Sequence, residues 1–467
     1  MFKIILIALY ILLPLFVIFV ERKNPTEAVL WVIILLCIPY VGIILYLAFG
    51  STFSIKLTSY IRKKKLAKRM TIATPKSIEV SDSILSETDK DVIHFNYVYN
   101  KAMISCYDSI KVFTNGHDHY ESLFNDIRNA KKCIFIEFYT IHNDVVGHKF
   151  IEELTKKAND GVHVLVMCDF LANIASPEKM FKPLRKAGGE VIRLKPFLTH
   201  FRSHRKIVTI DHDISYIGGM NIGKQYANMH KRKNPWRDTQ VRMTGRATSI
   251  LDSYFMNDWL CGTTNKIFNE TIPYLKKIKP LSYKNTDNIC QFVIGGVDND
   301  LESVKMCYLS MIRSAKSKIC IQSPYFIPDV SILDALKTAL ATGVEINIMV
   351  PGIKASFFLD PVTNYYLGEL LKYGAKVYKY NGYIHAKTMI IDSELCCIGS
   401  VNMDMRSLQV DDEVCGIFYK KDFALKYTKI YKDDILSSRV YTYQEFMNRS
   451  RKEKIMESIF LPLSPLM

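Results

Sequence analysis

The sequence contains no Cys-x-x-Cys pair. Its eleven cysteines are scattered and odd in number, which argues against a disulfide framework and against a zinc site. Cys396 and Cys397 are adjacent on an expected strand and point to opposite faces. Reduced thiols in a cytoplasmic compartment are the expectation. There is no Gly-x4-Gly-Lys-Ser/Thr loop, so nothing marks a nucleotide phosphate site. His117-Asp118-His119 has the spacing of metal ligands but lacks a third ligand nearby, and no metal or cofactor is expected. No small-x-small cleavage site follows the first apolar run, which argues against a removed signal peptide. From Gly50 to Arg69 there is no acidic residue, against seven basic ones: Lys56, Arg62, Lys63, Lys64, Lys65, Lys68 and Arg69.

What is present begins with two apolar runs. Ile4 to Val20 is 17 uncharged residues and Ala28 to Phe49 is 22. The polar turn between them carries two bases and two acids. The lengths predict a transmembrane hairpin, with spans at 1–20 and 28–49. The excess of positive charge after the second run places the body of the protein in the cytoplasm. Residues 50–70 read as a basic juxtamembrane linker lying on anionic headgroups. The net charge of +16 over 467 residues suits a polyanionic partner. The hairpin favours anionic membrane lipid, and no nucleic acid is expected.

The rest is organised by an internal repeat. His204, Lys206, Asp211, Gly218 and Asn221 recur as His385, Lys387, Asp392, Gly399 and Asn402, each displaced by 181 positions. In both copies an alternating apolar run follows the lysine, then an Asp with turn residues, then a second short run. That pattern predicts a β-hairpin with His and Lys at the start of its first strand, two apart and on one face. Ile127-Arg128-Asn129-Ala130-Lys131 is echoed by Ile312-Arg313-Ser314-Ala315-Lys316 at an offset of 185, and Gly161-Val162 by Gly343-Val344 at 182. Each half thus alternates strand and helix before its motif, which indicates α/β layers. Two pseudo-two-fold-related α/β/α sandwich domains are expected, at 71–265 and 266–467, with a pocket at their seam. The join falls in the lysine-rich stretch 266–284. The C-terminal stretch Tyr443 to Phe460 has helical spacing and is read as a helix packed on the second domain, or as a membrane-touching tail.

Two imidazoles, two ammoniums and two amides suit phosphoryl transfer. A neutral imidazole attacks phosphorus, a protonated one gives the leaving alcohol its proton, and lysines hold the charge on the phosphoryl oxygens. One copy supplies half of this set, so the halves must face each other.

The paired motifs resemble those of the phospholipase D superfamily. Gly399-Ser400-Val401-Asn402-Met403-Asp404-Met405-Arg406-Ser407, Pro235-Trp236-Arg237-Asp238 and Ser323-Pro324-Tyr325-Phe326-Ile327-Pro328-Asp329 resemble its bacterial cardiolipin synthase branch, and the likeness covers nearly the whole chain. The resemblance implies phosphatidyl transfer between two phosphatidylglycerol molecules through a phospho-histidine, without cofactor, at a bacterial cell membrane. His204 is then the nucleophile and His385 the acid, with Lys206 and Lys387 on the phosphate and Asn221 and Asn402 in support. A phosphodiesterase using water or another alcohol is the alternative reading, and a non-enzymatic membrane-anchored binding protein is disfavoured by two intact motifs. Each histidine needs a carboxylate to fix its tautomer. A carboxylate downstream of each motif would serve, and the candidates are Asp238 after Trp236-Arg237 and Glu413 after Arg406-Ser407. Val410-Asp411-Asp412 departs from the family pattern before Glu413, so which carboxylate orients His385 stays open. Asp211 and Asp392 are motif members that either act in catalysis or hold the hairpin.

Overall fold

In a computed structural model, which describes residues 2–21, 25–68, 75–80, 85–195, 202–229, 234–264, 266–267, 269, 271, 286–296 and 302–467, the repeat becomes two sheets with a shared strand order. The first runs Ser109–Phe113, Gln240–Thr244, Ile214–Gly218, Ile207–Ile210, Cys133–Phe138, His163–Asp169, Glu190–Leu194. The second runs Ile289–Gly295, Glu413–Phe418, Leu395–Gly399, Thr388–Ile391, Lys318–Gln322, Glu345–Pro351, Lys376–Tyr380, with Ser105–Cys106 and Ser438–Tyr441 added at its edges. The last three strands of each shared set are parallel and the motif hairpin is antiparallel.

The sequence explains the layers. Cys133–Phe138 is buried throughout, as a strand covered on both faces must be. Helices Gly116–Asn129 and Val145–Asn159 cover one face. They start at Asn115 and Asp144, whose side chains accept backbone N–H groups of the first turn. Phe150, Ile151, Leu154 and Ala158, spaced three and four apart, point inward with Ile134, Ile136 and Val166. On the opposite face Phe255, Met256, Trp259 and Leu260 pack on Phe135, Leu165 and Met167. The seam is itself apolar. Ile207, Ile217, Val241 and Met243 of the first sheet pack with Phe292, Ile398, Val414 and Phe418 of the second.

One segment crosses the expected domain division. Helix Glu87–Val98, capped by a Ser86–Asp89 box, contributes Val92 and Ile93 to the core of the second domain, with Ala102 and Cys106. Strand Ser105–Cys106 pairs with Ile289–Gly295. Residues 85–106, assigned from sequence to the first domain, therefore complete the second. The lysine-rich join at 266–284 lies almost entirely outside the described residues.

At the N-terminus, α1 (Phe2–Phe19) and α2 (Pro25–Cys37) fold back on each other. Val17, Trp31, Leu35 and Tyr46 are buried between them and the following turns. The second apolar run is not one helix. Pro39, which lacks an N–H, starts a new helix α3 (Pro39–Leu45), followed by a π turn at Tyr46–Gly50. Among the described residues no helix is by itself long and apolar enough to cross a membrane. The basic stretch expected as a linker is a helix, α4 (Thr52–Lys68), lying along α5 (Ala247–Gly262) of the first domain. At the other end, helix Arg451–Phe460 packs on helix Leu359–Leu371 of the second domain. Beyond it, Leu466 reaches the apolar cluster of the N-terminal hairpin.

Candidate active site

His204 and Lys206 stand just before strand Ile207–Ile210, and His385 and Lys387 just before Thr388–Ile391, not within the strands as the alternation suggested. The reason is where their backbone groups bond. The His204 N–H donates to the Asp412 carbonyl at 2.9 Å, and the His385 N–H to the Arg237 carbonyl at 2.6 Å. Both acceptors belong to the other half of the chain. Strand Trp236–Arg237 pairs in parallel with Tyr383–Ile384, and Ser203 bridges to Asp412.

These crossings exchange the carboxylates. Each acceptor carbonyl precedes one of the two predicted acids. Glu413 Oε1 lies 2.7 Å from His204 Nδ1, and Asp238 Oδ2 lies 2.6 Å from His385 Nδ1. Asp238, on the first domain, meets the second histidine, and Glu413, on the second domain, meets the first, so neither acid serves the motif upstream of it as its place in the sequence suggested. An ionised carboxylate only accepts, so each Nδ1 carries a proton and Nε2 is the nitrogen left for the reaction.

The charges are unequal. Burial, and then Lys206 and Lys387, push His204 well below its ordinary range. Burial and Lys387 push His385 down to about 4, against the pull of Asp238. Burial alone raises the Asp238 carboxyl, but His385 and Lys387 together outweigh it and hold it below its usual value. Glu413 is pushed up to about 7 by burial, with Lys206 opposing. Its other oxygen accepts from Ser400 Oγ. Lys206 is fully buried. Its pKa is pushed down to about 7, by burial and by Lys387 against Glu413. Lys387 is pushed to about 8 by burial. The lysines donate to the carbonyls of His204 and His385 respectively, which aims both ammoniums along their own motifs.

Asp211 and Asp392 are not beside the histidines. They sit at the far ends of the motif strands, in left-handed backbone at φ 54° and 51°, where the chain turns over. Asp211 accepts from the N–H groups of Lys131, Lys132 and Cys133 at 2.8, 2.6 and 3.0 Å. Asp392 accepts from Lys316, Ser317 and Lys318 at 2.7, 2.8 and 2.6 Å. Of the two roles open for these residues, the geometry fits the one that holds the hairpin against the neighbouring strand. It also explains the echo of Ala130-Lys131 in Ala315-Lys316. Asn221 is committed to the Thr140 N–H at 3.2 Å and the Tyr226 hydroxyl at 2.8 Å. The Asn402 Oδ1 is buried without a hydrogen-bond partner among the described residues.

The sequence does not mark the aromatic walls of the site. The Tyr139 ring meets His204 edge-on at 4.9 Å. Trp236 lies 5.1 Å from His385, and Tyr383 stacks on it at 5.9 Å. Only Trp236 stood in a motif, and nothing in the spacing of the two tyrosines marks them. His119 turns into the core between Phe113, Tyr120 and Tyr216, where burial lowers its pKa to about 3. A third possible ligand, Glu121, does lie beside His117 and Asp118 on the exposed first turns of helix Gly116–Asn129, contrary to the expectation from spacing, while His119 stays in the core; Asp118 is bound to Asn115 there.

Comparison with known proteins fits this geometry. A family described as "Cardiolipin synthase, PLD-like domain" matches residues 123–259 and 308–435. The Bacillus subtilis protein "Major cardiolipin synthase ClsA" is 36% identical over 474 residues, covering 98% of this chain and 97% of that one. The chain belongs to the cardiolipin synthase, phospholipase D-like family. A Listeria welshimeri cardiolipin synthase is 32% identical over 99% of this chain and 98% of its own length. Residues 5–51 match a second family, "Phospholipase_D-nuclease N-terminal". The crystal structure of phosphatidylserine synthase from Haemophilus influenzae shares the fold, with a TM-score of 0.62 at 15% identity over 81% of this chain and all of that one. Each matched phospholipase D-like segment holds one His–Lys motif and the carboxylate that serves the other segment's histidine: His204 and Asp238 in the first, His385 and Glu413 in the second.

Proposed function

We propose that this protein joins two phosphatidylglycerol molecules into cardiolipin, releasing glycerol. The observation that carries the reading is the crossed pair of histidine–carboxylate contacts, which makes one composite site from two half-sites. His204 Nε2 attacks phosphorus while the bond to glycerol oxygen breaks, and His385 gives that oxygen its proton. The hydroxyl of a second phosphatidylglycerol then returns a proton to His385 and attacks phosphorus, and the phosphorus–nitrogen bond breaks. One phosphodiester replaces another, so no nucleotide is consumed.

The inequality of the two pairs supports this division of roles. Asp238 stays ionised; burial and Lys387 hold His385 down to about 4, so its acid form depends on Asp238 together with a bound phosphodiester that offsets Lys387. Glu413, pushed up to about 7, holds a proton on His204 less firmly, which suits a neutral nucleophile. Lys206 and Lys387, sharing a buried site, are at their least stable without an anion between them. A bound phosphodiester supplies it. Asp211 and Asp392 hold the motif hairpins, and Asn221 and Asn402 support the site.

The N-terminal hairpin supports a membrane location, with two spans and the catalytic domains in the cytoplasm. Its outward residues are apolar: Ile11, Leu12, Leu15, Ile18, Val29, Ile33, Leu36 and Ile44 are all exposed in the isolated chain, as befits a surface whose solvent is lipid. A water-excluding membrane surface rich in phosphatidylglycerol favours a lipid alcohol over water as acceptor.

The experiment is product analysis with full-length protein in phosphatidylglycerol vesicles, without metal or nucleotide. Equal release of glycerol and cardiolipin is expected, with excess glycerol driving the reaction backward. Accumulation of phosphatidic acid, with glycerol release indifferent to added glycerol, overturns the transferase reading in favour of hydrolysis.

A further inference from the structure

We propose that Arg62 is a positioning residue for the His204 half-site, tying the helix that follows the apolar hairpin to the backbone that carries the nucleophile. The inference builds on the phosphatidyl-transfer reading. It is carried by a buried lattice of charges. Arg62 Nη1 lies 2.9 Å from Asp412 Oδ2, and Nη2 lies 2.8 Å from Asp258 Oδ1. Arg205 engages the remaining oxygens of the same two acids. It is paired with Asp258 Oδ2 and lies 3.6 Å from Asp412 Oδ1. Two arginines and two aspartates thus close a ring in which α4 supplies one corner, α5 the second, and the two halves of the active site the third and fourth.

Both active-site corners adjoin the reacting pair in sequence. Arg205 follows His204. Asp412 precedes Glu413, accepts the His204 N–H through its own carbonyl at 2.9 Å, and donates its N–H to the Arg202 carbonyl at 2.9 Å. Arg205 also donates to the carbonyls of Gly295 at 2.6 Å and Glu413 at 3.2 Å. The ring therefore clamps the two backbone segments whose side chains meet as the His204–Glu413 pair.

The charge count explains why Arg62 is required. Arg205, Asp258 and Asp412 are all buried. The neighbouring Glu137, which accepts from Ser203 Oγ at 2.6 Å, is pushed up by burial and by Asp258 and contributes little negative charge. With Arg62 the ring is balanced. Without it two buried aspartates share one arginine, and an uncompensated buried carboxylate is costly. Asp412 gains most by moving toward water, and Glu413 is covalently next to it.

α4 is also suited to meet a membrane. Arg62, Lys65 and Leu66 face the first domain, with Lys65 Nζ donating to the Cys261 carbonyl at 3.0 Å. Lys56, Tyr60, Lys63, Lys64 and Lys68, spaced at helical intervals, are exposed on the other side. One helix thus presents a basic face outward and a single guanidinium inward to the active-site frame.

The test compares Arg62→Ala, Arg62→Gln and Arg62→Lys in full-length protein with phosphatidylglycerol vesicles. Displacing a catalytic group by about 1 Å costs about 10²-fold, so Ala and Gln are expected to lower kcat by about that factor while leaving KM within about twofold. Lysine, which reaches one aspartate at a time, restores part of the rate. The pH–rate profile shifts with the loosened His204, which faces Glu413, Lys206, Lys387, Asp238 and Tyr139. The double variant Arg62→Ala/Asp412→Asn regains activity over Arg62→Ala, because the stranded carboxylate is gone. An unchanged kcat and pH profile overturns the inference. So does a loss confined to KM, or a loss in all three single variants that tracks a fall in Tm. Wild-type protein run alongside separates this from the transferase reading: if it yields phosphatidic acid, that reading fails, and the dependence on Arg62 is still measured on hydrolysis.

Discussion

His204 takes its orienting carboxylate from the opposite half of the chain. Its Nδ1 lies 2.7 Å from Oε1 of Glu413, 209 residues away in sequence. The reciprocal contact, His385 with Asp238, spans 147 residues. Neither motif is therefore complete within its own domain, and damage to one half's acid is felt at the other half's histidine.

This crossing has a kinetic signature. Glu413→Gln is expected to impair formation of the phospho-histidine, and Asp238→Asn to impair proton delivery to the leaving alcohol. Each should lose about 10²–10⁴-fold in kcat, the range that general acid–base groups supply. Rapid-quench measurement of the adduct distinguishes them. The adduct forms slowly in Glu413→Gln, whereas a substrate with a good leaving group rescues its formation in Asp238→Asn.

Removing either imidazole should be at least as damaging as removing its carboxylate. His204→Ala and His385→Ala are each expected to fall by roughly 10³-fold or more, because groups that act as a unit fail together. With a substrate whose leaving group needs no proton, His385→Ala should accumulate the adduct on His204, as peptide mapping after acid-free digestion would read. An adduct on His385 in His204→Ala, and none on His204 in His385→Ala, reverses the assignment.

Lys206 is held in the site at a cost to stability. Its pKa is about 7 in the folded chain against a reference of 10.5. Between those values the unfolded state binds a proton that the folded state lacks, so this group's contribution to stability rises with pH across that window. Lys206→Met should abolish turnover while raising Tm at pH 7. The gap between variant and wild type should narrow by pH 9 in parallel thermal scans.

Asp392→Ala should behave in the opposite way. It strands three backbone N–H groups, a loss of about 2–3 kcal/mol, and should lower Tm by several degrees. Below that Tm the remaining folded protein should keep most of its kcat. A loss of kcat on the scale of His385→Ala, with Tm unchanged, would give this aspartate a direct part in the chemistry.

The hairpin reading predicts that tags at the N-terminus and after Met467 share the cytoplasmic side. Both should resist protease added to intact cells and be cut in lysed ones. Digestion of either tag from outside sinks the two-span topology.

The site was largely legible because its chemistry is repeated. A constant offset of 181 between His204 and His385 fixes both motifs and implies a shared pocket, and alternation with turn residues gives the hairpins. The crossed pairing was not legible. Periodicity reports which face of a strand a residue occupies, but not which of two similar loops crosses a seam, and Trp236–Arg237 finds Tyr383–Ile384 only in three dimensions. Hydropathy marks the second apolar run as a single span because it does not weigh the missing N–H of Pro39. Composition makes Arg62 one of seven basic residues and cannot see the two aspartates that single it out.

The assembly of residues 85–106 onto the second domain bears on synthesis at the ribosome. Cys106 must wait for Ile289, its partner in the edge pairing, 183 positions later. At about 5–20 residues per second, that interval is about 10–40 s. Throughout it the entire first sheet can close while Val92 and Ile93 have no core to enter. The order of translation thus differs from the order of completion: the second domain is begun before the first and finished after it. A pause, or a ribosome stalled between the halves, leaves the apolar side of helix Glu87–Val98, with Val92 and Ile93, uncovered.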